Sequence, residues 1–108
     1  MIVMAEIRFL EESGAKVSFS ATDSANVERA RQEAARWAEA SGYSIVTFHL
    51  EEGSPQRLRV QFNDSTPLNS WLDANVVRQG RLEELESFLD YARGEQRRRD
   101  VGYEVYDL

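Results

Sequence analysis

The sequence predicts an α+β domain: an antiparallel sheet of four or five strands with two helices on one face, in the order ββαββα. Three observations predict it. Several short stretches alternate apolar and polar residues with the two-residue period of a half-buried strand. Residues 23–42 carry the three- and four-residue spacing of an amphipathic helix, with both ends marked. A second helical stripe follows the fourth alternating stretch.

Val3, Ala5, Ile7 and Phe9 alternate with Met4, Glu6, Arg8 and Leu10, which makes residues 3–10 the first strand. The turn Glu11-Glu12-Ser13-Gly14-Ala15 reverses the chain, with Gly14 able to take a positive φ. Residues 16–21 form the second strand, Val17, Phe19 and Ala21 opposite Lys16, Ser18 and Ser20. Asp23 is placed to cap the first helix, its carboxylate accepting from the amides of the first turn. Val27, Ala30, Ala34, Trp37, Ala38 and Ser41 make the buried stripe. On the solvent side Arg29–Glu33 and Arg36–Glu39 are spaced for ion pairs worth roughly 0.2–0.5 kcal/mol each. Gly42 suits the left-handed position that ends the helix.

Residues 43–50 read as a third strand, partly apolar on both faces. After the turn Glu51-Glu52-Gly53-Ser54-Pro55, residues 57–62 set Leu58, Val60 and Phe62 against Arg57, Arg59 and Gln61. Thr66 and Pro67 have the chemistry of an N-cap and first helical residue. Leu68, Trp71, Leu72 and Val76 would be that helix's stripe, broken between residues 75 and 80 at Gly80. Leu82, Leu85, Phe88, Leu89 and Ala92 resume it, and Gly94 closes it. Residues 95–108 are a charged connector and an edge strand, with Arg97-Arg98-Arg99 complementing the helix dipole and Tyr103 and Tyr106 beyond. No repeat or linker interrupts residues 1–108, so a single domain is expected.

The expected strand order is first, second, fourth, third, all antiparallel, with a right-handed crossover: a ferredoxin-like variant. A β-grasp-like order, with the first strand central, is the alternative. Strand parity then gives the sheet a helix-covered side and an open side bearing Arg8, Tyr43, His49, Arg57 and Arg59, with a small excess of positive charge. The acidic pairs Glu11-Glu12 and Glu51-Glu52 fall at opposite ends of such a sheet. Trp37 and Trp71, on helix stripes, are expected in the core.

Composition narrows the function classes. The chain has 42% hydrophobic and 30% charged residues, an ordinary globular balance. There is no cysteine, which excludes disulfides, thiolate nucleophiles and cysteine-ligated zinc. No apolar run reaches the roughly 18 residues of a membrane span. The opening residues meet Glu6 and Arg8 too soon for a signal peptide, so a cytoplasmic protein without membrane attachment is expected. A net charge of −6 disfavours nucleic acid as a partner.

His49 is the only histidine, and its sequence neighbours supply no nucleophile. One histidine without cysteine also falls short of a metal set, and the six glycines are scattered rather than grouped to cradle a phosphate. Glu83, Glu84 and Glu86 sit where a helix dipole stabilises negative charge. The sequence therefore points away from catalysis, cofactors and metals, and toward a small protein-interaction module, an inhibitor or adaptor. In size and composition it is comparable to bacterial and phage inhibitors. Its expected surface comprises Arg8, Tyr43, His49, Arg57, Arg59, Tyr103 and Tyr106, with a homodimer through the same surfaces as one arrangement. The rival classes are a nucleic-acid-binding sheet and a small enzyme with a pocket between sheet and helix.

Overall fold

The structure is a computed structural model that describes residues 6–12, 15–16 and 24–102. In chain order the elements are β1 (Glu6–Glu12), β2 (Ala15–Lys16), α1 (Ser24–Ser41), β3 (Ile45–Glu51), β4 (Arg57–Phe62), β5 (Trp71–Asp73), α2 (Ala74–Arg78) and α3 (Leu82–Asp100). The α+β class is as the sequence predicts, and β4 has the bounds its alternation gives. Asp23, most of the expected second strand, and Tyr103 and Tyr106 lie outside the described residues.

The strand order differs from the expectation. The sheet runs β2-β1-β3-β4-β5, and β1 lies parallel to β3 while the other neighbours are antiparallel. Parallel neighbours cannot be joined by a tight hairpin, and here β2 and α1 lie in the chain between β1 and β3 and supply the longer connection. The expected order would place β4 between β2 and β3, and β1 stands there instead. The alternative order fails as well, since the central strand is β3, with β1 between it and β2 at the edge. Apolar matching supports the pairing: Ile7 stands beside Val46, and the Phe9 and Phe48 ring centroids are 4.8 Å apart.

One face of the sheet holds the core. Val46, Phe48 and Leu50 of β3 and Leu58, Val60 and Phe62 of β4 are buried under α1, α2 and α3. Ala30, Ala34 and Ala38 are almost completely buried, and their small side chains let α1 lie close to both the strands and α3. Trp37 ties the two long helices together. Its indole N–H donates to Asp90 Oδ1 at 2.9 Å, and the Arg93 guanidinium lies 5.9 Å above its ring. Gly42, at φ +84°, ends α1 as expected. The solvent-side ion pairs are Glu28–Arg31 and Glu33–Arg36 instead of the pairs the spacing suggests.

The second helical region is reorganised. Thr66 and Pro67 do not begin a helix; residues 63–70 are a loop, and Trp71 and Leu72 belong to β5. Long-range partners satisfy this loop in place of helical hydrogen bonds. Arg99 donates to the Thr66 carbonyl at 3.0 Å and its hydroxyl at 2.9 Å, and Glu95 accepts from the Asn69 amide and the Ser70 hydroxyl. Leu68 anchors the loop in the core and donates its N–H to the Val60 carbonyl at 2.9 Å. Asp73 caps α2, accepting from the Asn75 N–H at 2.8 Å.

The break expected between residues 75 and 80 falls at its far end, at Gly80, while residues 75–78 are helical in α2. Gly80 has φ +68°, and a Cβ there would meet Asn26 Oδ1 at 2.8 Å, while the Asn26 amide donates to the Arg78 carbonyl. Gly94, by contrast, does not close α3, and the expected connector at residues 95–99 is helical. Gln96 extends the buried stripe of Leu85, Leu89 and Ala92 at helical spacing, and its amide donates to Ser65 Oγ and Asp100 Oδ1. No helix of the described residues is long and apolar enough to cross a membrane.

Candidate interaction face

The candidate site is the sheet face that carries no described helix. Alternation along β4 turns Arg57, Arg59 and Gln61 to this side as it turns Leu58, Val60 and Phe62 to the core. Register then fixes the rows. Thr47 lies between Arg8 and Gln61, Arg59 lies between His49 and Trp71, and Arg57 lies between Glu51 and Asp73.

Most polar groups here have partners. His49 Nε2 donates to Gln61 Oε1 at 2.7 Å. Arg59 Nη2 reaches the two oxygens of Glu51 at 3.2 and 3.3 Å, while its Nε is buried without a hydrogen-bond partner. Arg8 pairs with Glu6 at 2.9 Å, out in solvent. Arg57 is different. Its guanidinium lies 5.2 Å from the centroid of the Trp71 ring, a cation–π contact. No described carboxylate lies within 4.0 Å of it. The two acidic residues of its own row are committed elsewhere, Glu51 to Arg59 and Asp73 to the cap of α2.

Of the residues the sequence singles out, the structure brings Arg8, His49, Arg57 and Arg59 onto this face. Tyr43 is not among them. It precedes β3, its amide donates to the Ala38 carbonyl, and its ring stacks on Phe62 at 4.3 Å and on Trp37 at 5.8 Å. Burial pushes its phenol above the ordinary pKa, and the charge of Asp100 adds to the shift, against Arg97 and Arg93.

Trp71 is misassigned in the opposite sense to Tyr43. It is 44% exposed on the open face, not in the core. The signal in the sequence is Asp73-Ala74-Asn75, a capping arrangement that starts a helix after Trp71. The expected positive excess is absent among the described residues, where Glu6, Glu51 and Asp73 stand against Arg8, Arg57 and Arg59. Parallel pairing also brings Glu11 beside His49 in register, so the acidic ends of β1 and β3 share one end of the sheet instead of opposite ends.

An open groove of about 500 Å³ lies elsewhere, lined by Thr66, Asn69, Glu95, Arg98 and Arg99. Glu95 and Arg99 spend their hydrogen bonds there on holding the loop against α3, so the groove reads as a structural clamp. Among the described residues no cluster of histidine and carboxylate side chains is arranged to hold a metal ion. No protein-family model, curated protein or solved structure matches the chain.

Proposed function

We propose that the chain is a small, non-catalytic protein-interaction module, an inhibitor or adaptor acting in the cytoplasm, and that its contact surface is the open sheet face around Trp71. The observation that carries this reading is the half-exposed Trp71 with Arg57 laid on its ring. Tryptophan and arginine dominate the binding energy of protein interfaces, because each combines a large contact area with directional polar groups. The titratable groups nearby support binding more than chemistry. His49 is held by a neutral amide, which lacks the charge of the carboxylate that orients a catalytic histidine, and Glu51 is occupied by Arg59.

The test compares two tagged baits, the wild-type chain and Trp71→Ala, purified from the native host at physiological salt. A protein should co-purify with the first and be lost from the second, while both baits unfold at similar temperatures. A protein retained equally by both would remove the surface from this face. A second reading, nucleic-acid binding, gains from the same tryptophan, because a sheet that stacks bases needs an exposed ring. It predicts an absorbance ratio shifted toward 260 nm and retention that falls steeply with salt.

A further inference from the structure

Resting on that reading, we infer that the partner presents a carboxylate to Arg57, from an Asp or Glu beside an apolar side chain in an extended protein segment. Arg57 is the cation of this face that the described residues leave without an anion, since Arg8 is matched by Glu6 and Arg59 by Glu51. Its position is prepared for such a group. Stacking on Trp71 holds the guanidinium over a flat apolar bed, which leaves the donor edge to receive a carboxylate in bidentate fashion.

The exposed part of the indole asks for a different neighbour, an apolar side chain that removes it from water. Charge argues for a single carboxylate in an otherwise neutral segment, not a polyanion. The chain carries a net −6, and this face adds nothing positive overall, so a phosphate backbone or an acidic run is repelled at long range. One carboxylate meets that field weakly and gains the whole of a short-range, charge-assisted contact.

The probe is a displayed library of random linear peptides, selected on the full chain and counter-selected on Trp71→Ala. Recovered peptides are then synthesised with their acidic residue intact and with Glu→Gln or Asp→Asn. The expected result is a shared acidic position next to an apolar one, whose neutralisation weakens binding roughly tenfold or more. Arg57→Leu should erase the difference between the acidic and neutral peptides, and Arg57→Lys should keep part of it, as charge survives but the fork does not. Thermal unfolding of each variant shows that the fold is intact.

Trp71-dependent peptides without an acidic preference would overturn the carboxylate while leaving the interaction face standing. Peptides bound equally by wild type and Trp71→Ala would overturn the face itself. A selection that yields no peptide, or salt-sensitive binding of a random single-stranded oligonucleotide in its place, would overturn both.

Discussion

The two faces of this sheet are built from the same strands, and neighbouring residues belong to opposite worlds. On β4, Val60 is sealed beneath the helices while Arg59, one residue earlier, is half in water and bound to Glu51. The covered face joins β3, β4, β5 and three helices through one continuous apolar cluster, so its energy comes from burial and close packing. The open face is held by pairs: His49 with Gln61, Arg59 with Glu51, Arg57 with Trp71. Such half-exposed pairs add little to stability because water and salt compete for them. The covered face makes the molecule fold, and the open face contributes little to that task.

That contrast can be broken most directly by a matched pair of truncations. Phe48→Ala empties the centre of the covered face and should cost about 3–5 kcal/mol in denaturant unfolding. Trp71→Ala removes a larger side chain from the open face and should cost about 1 kcal/mol or less. Similar losses for the two would mean that the open face carries structure after all.

The helix layer sharpens the comparison. Gly80→Ala forces a side chain into a left-handed backbone and toward Asn26, and should destabilise by about 1–3 kcal/mol. On an Asn26→Ala background, where the donor to the Arg78 carbonyl is already gone, Gly80→Ala should cost only the backbone part. A neutral Gly80→Ala would show that the turn between α2 and α3 can relax without cost to the covered face.

The smallest effect is one of pH, and it tests which side Tyr43 serves. Its folded pKa lies above the ordinary value near 10, chiefly because burial disfavours the phenolate. The neutral form is therefore the one the fold prefers. Its contribution is complete below pH 10 and is lost as pH rises through the raised pKa. Stability should fall more steeply above pH 10 in the wild type than in Tyr43→Phe. Equal slopes would place Tyr43 in solvent.

Much of the covered face is legible in the sequence, and the reason is locality. The alternation over residues 57–62 and the alanine stripe of α1 each lie within one element, so the pattern and the burial coincide. What escapes a local reading is decided by distant partners. Leu68, Trp71 and Leu72 have helical spacing, yet Arg99 and Glu95 hold the loop before β5 from α3, and the strand of three residues is too short to declare a period. Gly94 looks like a terminator, but Gln96 and Arg99 find partners on that same loop and carry α3 past it. The parallel pairing of β1 and β3 leaves no mark in either stretch alone. The open face is legible at Arg57, Arg59 and His49 and invisible at Trp71, because exposure of a large ring follows from the loop that precedes it.

The parallel pairing also sets a delay between the synthesis of β1 and its pairing with β3. β1 leaves the ribosome ahead of everything it will touch in β3, with all of α1 translated in between. The hairpin of β3 and β4 closes across a short turn as soon as both are out, whereas docking β1 must first close a much longer loop. Ile7 and Phe9 thus wait for their β3 neighbours while all of α1 is made.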